Sequence, residues 1–140
     1  MITLMLNLVL GWFGALVVNY LADELPRSRK ISQPHCRACG AELSIGYYLG
    51  LRACRYCGKK PTARHLAVLI LGPILAVILY YFPITSLGNI GALVWMVYFG
   101  IVVVIDLEHR LIMHPVSLAG MVLGGIFGII NHGIINTLLG

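Results

Sequence analysis

Charge is scarce in this chain: Asp, Glu, Lys and Arg make up 11% of its 140 residues, and only five of those are acids. With 59% hydrophobic content beside it, that scarcity excludes an ordinary soluble domain, in which about a quarter of residues are charged. Cysteine is equally sparse. All four fall in two knuckles, Cys36-Arg37-Ala38-Cys39-Gly40 and Cys54-Arg55-Tyr56-Cys57-Gly58, so none is left for other work. Aspartate is scarcer still, at Asp23 and Asp106 alone. Positive charge is absent from residues 1 to 10, and Ala22-Asp23-Glu24 does not resemble a small-residue cleavage site. Both facts argue against a removable signal peptide and for a retained first helix.

What is abundant is long apolar sequence. A hydrocarbon core about 30 Å thick takes roughly 20 helical residues to cross. Four runs meet that length: about Ile2 to Ala22, Ala63 to Phe82, Leu87 to Ile105, and Pro115 to about Ile130. Asn131, His132, Gly133 and Asn136 interrupt the last pattern. The tail to Gly140 therefore either extends the fourth helix or starts another. The expected fold is an all-α membrane protein of about four transmembrane helices with a cytosolic four-cysteine zinc-binding loop. Its expected divisions are a first span over 1–22, the cysteine loop over 23–62, and the remaining spans over 63–140.

Nine of the ten basic residues (Arg27, Arg29, Lys30, Arg37, Arg52, Arg55, Lys59, Lys60 and Arg64) lie between the first and second runs, against Asp23, Glu24 and Glu42. By the positive-inside rule this segment is expected in the cytoplasm. The loop from Asp106 to His114, with Arg110, then returns to the same side. A net charge of +5 suits nucleic acid less well than it suits the membrane, because basic residues flanking spans are accounted for by that rule and by attraction to anionic lipid.

The two knuckles are separated by 14 residues, close to the spacing of four-cysteine zinc sites. Each knuckle turns the backbone so that two sulfurs converge, and the glycine after its second cysteine accommodates the tight return. A loop of about 40 residues buries little core, so a metal would supply most of its folding free energy. Iron in a four-sulfur site is chemically open at the same spacing. Disulfides would need an oxidising compartment, which the charge pattern does not suggest. His35, beside Cys36, is expected to be a bystander.

Asp106 follows directly on Ile101-Val102-Val103-Val104-Ile105. A carboxylate at such depth is costly and is a functional candidate. The plainer alternative is an ion pair with Arg110 four residues on. Asp23 and Glu24 are expected to be solvated loop charges. His109 and His114 are expected as interfacial polar residues, with Pro115 in the first turn of the fourth span. Trp12, Tyr20, Tyr80, Tyr81, Trp95 and Tyr98 are expected in aromatic belts or in packing. Gly91, Gly100 and the series Gly120, Gly124 and Gly128 are expected to allow close helix approach.

The order of these features resembles a known family. Asn19 followed by Leu25-Pro26, then two Cys-x-x-Cys knuckles, Thr62-Ala63-Arg64-His65, and Ile105-Asp106-Leu107-Glu108-His109-Arg110-Leu111-Ile112 together resemble the amino-terminal part of the type IV prepilin peptidases, or leader peptidases. The resemblance covers nearly all of the chain. It implies a multi-pass protein of the bacterial inner membrane and an aspartic endopeptidase that removes the basic leader of a prepilin or pseudopilin at the cytoplasmic face, serving type IV pilus or type II secretion fibres. It further implies Asp106 as the first catalytic carboxylate. Many members then methylate the new amino terminus with S-adenosylmethionine, an activity the cysteine loop accompanies in the family.

The chain also departs from the family pattern. Met113-His114-Pro115 stands where relatives often have Leu-Pro-Asp, and no Gly-x-Gly-Asp motif with the second carboxylate is present. A proton-sharing pair needs two acids, and Glu108, two residues from Asp106, points to a different helix face. The expectation is a chain truncated before its second aspartate, or one served by another polypeptide, and inactive alone. The rival from another class is a non-catalytic membrane adaptor whose zinc loop recognises a cytosolic protein.

Overall fold

A computed structural model describes residues 1–28, 33–36, 38–49, 53–84, 87–109 and 114–139. It is all-helical, with elements α1 (Ile2–Ser28), α2 (Ile45–Tyr48), α3 (Ala63–Tyr81), α4 (Gly88–His109) and α5 (His114–Leu139). Four of these are long and apolar enough to cross a membrane: Ile2–Pro26, Ala63–Tyr81, Gly88–Glu108 and His114–Asn131. The shortest window has 18 residues and rises about 27 Å at 1.5 Å per residue, close to the thickness of a hydrocarbon core. The chain is a multi-pass membrane protein. Its outer surface agrees, since Phe13, Ile70, Leu118 and Met121 are all more than half exposed, an arrangement that water would not tolerate over so large an area.

Helix α1 is the centre of the bundle. It packs chiefly on α3 and then on α4, while α5 touches only α4 to any extent. One stripe of α1 makes these contacts, with Asn7, Gly11, Ala15, Val18, Asn19, Ala22 and Asp23 all buried. Their spacing of three and four is that of one helix face. Small residues on both sides let the α1 and α3 backbones approach closely. A Cβ at Gly11 would lie 2.5 Å from the Ala76 Cβ, and one at Gly72 would lie 2.7 Å from the Ala15 Cβ.

Two details differ from the sequence reading, and a third decides an alternative left open there. First, α1 does not stop at Ala22 but continues to Ser28 with Pro26 inside it, so Asp23 and Glu24 sit on a helix, not in a loop. Second, the closest helix approach is at Gly11 and Gly72, whereas Gly124 faces open space, Gly120 abuts the Tyr98 ring and Gly128 abuts Thr137. Third, the tail does start a new helical piece. Gly133 adopts φ 79 and ψ 164 and breaks α5, a backbone conformation available to glycine because it has no Cβ.

Alternation of chain direction brings four helix ends together. The carboxyl ends of α1 and α4 and the amino ends of α3 and α5 lie at the end that carries the cysteines. An apolar cluster of Val18, Ala22, Val104 and Ile105, with Leu25, Val68, Val97, Ile101 and Val116 packed against it, underlies this end. At the other end of the span, Trp95 stacks on Phe99 with centroids 5.3 Å apart and meets Phe127 at 6.2 Å, so its role is packing between α4 and α5.

Replacing Gly72 with valine forces these backbones apart. The expected result is a loss of about 1–3 kcal/mol of stability, the usual cost of overpacking, read as a lower midpoint in detergent unfolding. Gly124→Val, with nothing in its way, is expected to leave the midpoint unchanged.

Candidate metal centre and the charged end of the bundle

The two knuckles fold alike. In the first, Gly40 N–H donates to the Cys36 carbonyl at 2.9 Å and Cys36 N–H to the Ala41 carbonyl at 2.7 Å. In the second, Gly58 N–H donates to Cys54 at 2.9 Å and Cys54 N–H to Lys59 at 2.9 Å. Both turns close through a left-handed glycine, at φ 72 for Gly40 and φ 68 for Gly58, which a side chain would strain. An antiparallel bridge between His35 and Glu42 continues the first turn.

These turns bring all four sulfurs within 4.8 Å of one another. Cys36 and Cys57 sulfurs are 3.6 Å apart, and those of Cys39 and Cys54 are 3.7 Å apart. Tetrahedral zinc with bonds of about 2.3 Å would set sulfurs about 3.8 Å apart, a spacing these two pairs match, and the four lie close enough together to converge on one ion. The thiols are free. The four cysteines are thus positioned to bind a metal ion, consistent with zinc.

Electrostatics show what the ion would do. Backbone N–H groups of Cys57 and Tyr56 draw the Cys54 thiol down to about 6. Cys39 is pushed up to about 12: the Ala41 N–H works against this, but desolvation and the neighbouring sulfurs of Cys57, Cys54 and Cys36 prevail. Four crowded thiolates need a cation between them. Metal binding should therefore release protons and weaken as pH falls.

Behind the cluster lies a set of buried polar residues that the sequence reading did not anticipate. Asp23 is 9% exposed and Glu24 is 3% exposed, so neither is a solvated loop charge. The physical reason is pairing. Arg64 donates from one guanidinium nitrogen to Asp23 Oδ1 at 2.6 Å and from another to Glu108 Oε2 at 3.0 Å. His65 Nε2 lies 2.9 Å from Asp23 Oδ2, and its Nδ1 lies 2.7 Å from the Thr62 hydroxyl. Asn19, fully buried, donates to the His65 carbonyl at 3.1 Å.

The cysteine loop is fastened to this set at two points. Glu24 Oε1 accepts the backbone N–H of His35 at 3.1 Å, which gives His35 a part through its backbone although its ring is not among the sulfur ligands. Tyr47 of α2 is buried and meets His65 edge-on, with centroids 5.5 Å apart.

Asp106 stands at the same end of the bundle, one residue beyond Ile105 of the apolar cluster. It is exposed, whereas the sequence reading took it for a buried acid. Ile105, at 2% exposure, takes the inward direction, and the next residue is turned about 100° away from it. Among the described residues no ion pair reaches Asp106. Arg110, its sequence-predicted partner, lies outside the described residues, as do Arg29, Lys30, Arg37 and Arg52. The helix continues through His109, so Asp106 and Glu108 diverge as expected, and Glu108 is taken up by Arg64. His114 is exposed.

The missed residues left one readable signal. Asn19 and Asp23 are four apart and share the stripe of Ala15, Val18 and Ala22, so polar groups on a small-residue face marked a buried network. Comparison with models of known families, with curated proteins and with solved structures finds no match.

Purified protein is expected to carry one metal ion per chain by elemental analysis. Acidification is expected to release it progressively as the thiolates protonate. Cys54→Ser should lower the bound metal severalfold; an unchanged metal content would contradict the site.

Proposed function

We propose that the chain acts as a leader peptidase of the type IV prepilin class, with Asp106 as one of its two catalytic carboxylates. In this reading it sits in the bacterial inner membrane, its zinc-clamped loop is cytosolic, and its substrate is a prepilin or pseudopilin cut just before its apolar helix. One observation carries the reading: Asp106, the four-thiol cluster and the basic loop share one end of the bundle, joined through Arg64 to Asp23 and Glu108. Positive charge on that side favours the cytoplasm, which is where a basic leader emerges from the membrane.

Hydrolysis needs one carboxyl group to take a proton from water while another donates to the scissile carbonyl. The chain has five acids. Both oxygens of Asp23 are engaged, by Arg64 and His65. Glu24 holds the His35 amide, Glu42 belongs to the knuckle bridge, and Glu108 is tied to Arg64. Asp106 and Glu42 are the exposed acids whose carboxylates meet no ion pair among the described residues, and Glu42 lies in the cysteine loop, so a partner carboxylate for Asp106 is expected from another polypeptide segment.

The test is leader cleavage in membranes by the full protein and its Asp106→Asn variant. The variant is expected to lose at least about 100-fold in rate, the lower range of what a positioned acid–base group supplies, with metal content and membrane insertion unchanged. Full cleavage by the variant would remove Asp106 from the chemistry, and no cleavage by either form would favour the non-catalytic adaptor.

A further inference from the structure

Beyond Ile105, the last turn of helix α4 stands on the protein surface. Asp106, Leu107 and Glu108 are all exposed, Leu107 at 77%. A side-chain bond from Arg64 to Glu108 at 3.0 Å ties this last turn to α3. Arg64 itself is only 16% exposed in its side chain, and it is set in place from behind. Asp23 holds it at 2.6 Å. Asp23 is fixed in turn by His65, whose ring is oriented by Thr62 and whose carbonyl is held by Asn19. Three helices thus meet on one guanidinium.

We propose that Arg64 is a positioning residue for Asp106, fixing the rotation of the last turn of α4 by its ion pair with Glu108. This rests on the peptidase reading for its catalytic consequence. Residues two apart on a helix are separated by about 200°. Holding Glu108 on Arg64 therefore sets Asp106 on a different face of the helix, open to an incoming partner acid and substrate. A guanidinium suits this task because its planar fork engages two carboxylates in fixed directions, whereas a lysine ammonium is one point charge on a flexible stem. Without Arg64, Glu108 loses its bond to α3, and Asp23 and His65 lose the group that links them to Glu108 of α4.

The test measures prepilin cleavage kinetics in membranes that also hold the polypeptide bringing the partner acid, and hydrogen exchange resolved by helix on the full protein in lipid nanodiscs, with metal content as the check on folding. Arg64→Ala and Glu108→Ala are each expected to lower kcat by about 100-fold, as a displaced reacting group does, with KM little changed. Exchange should rise in residues 104–109 while α1 and α3 stay protected. Arg64→Lys should keep metal content and the protection of α1 yet restore only part of kcat. Glu108→Ala with wild-type kcat and wild-type exchange would overturn the proposal, as would an equal loosening of α1, α3 and α4 in Arg64→Ala. If Asp106→Asn cleaves normally while Arg64→Ala still loosens α4, the Asp106 assignment of the peptidase reading falls and the helix tie stands. If Asp106→Asn is dead while Arg64→Ala and Glu108→Ala are fully active, the tie has no catalytic role and the peptidase reading stands.

Discussion

The guanidinium of Arg64, held between Asp23 of α1 and Glu108 of α4, is the constraint on which the arrangement of this end of the bundle depends. Buried Asp23 and His65 at the edge of a membrane carry a large desolvation cost, and a partnerless charge there is strongly destabilising; Glu108 adds a second, exposed acid. One cation answers both acids. Because Arg64 comes from the second residue of α3, the same group also fixes where α3 begins relative to the ends of its neighbours.

The helices can reach this shared point because α1 and α3 approach at Gly11, Ala15, Gly72 and Ala76. In lipid there is no water to drive apolar faces together, so close van der Waals packing at small residues is the main cohesive term. The cysteine loop solves a different problem. It has almost no apolar core of its own, so its fold rests on two hydrogen-bonded knuckles and on the ion their sulfurs can hold. Glu24 and Tyr47 then transmit its position to His65 and the charged set. Metal cluster and charged set form a succession of contacts at one end of the bundle, where Asp106 also stands.

Much of this was readable from residues alone, for identifiable reasons. The four spans were legible because a bilayer sets a length that few other structures share. The cysteine cluster was legible because ligand geometry dictates spacing. Asp23 and Glu24 misled because two adjacent acids look like the start of water, whereas here each has a specific partner that only tertiary structure supplies. Asp106 was correctly found at the end of an apolar run, but its exposure was not legible. Helix α4 is apolar on every side, so periodicity cannot say which face turns inward. The break at Gly133 was half visible, as a polar interruption whose outcome depended on the glycine taking a positive φ.

Solid-state magnetic resonance on protein in bilayers, labelled at arginine side-chain nitrogen and carboxylate carbon, measures the central contact directly. The account predicts dipolar coupling from the Arg64 guanidinium to the carboxyl carbons of both Asp23 and Glu108. Coupling to Asp23 alone, with Glu108 free in solvent, would contradict it, because the end of α4 and Asp106 with it would then be fixed by something other than this fork.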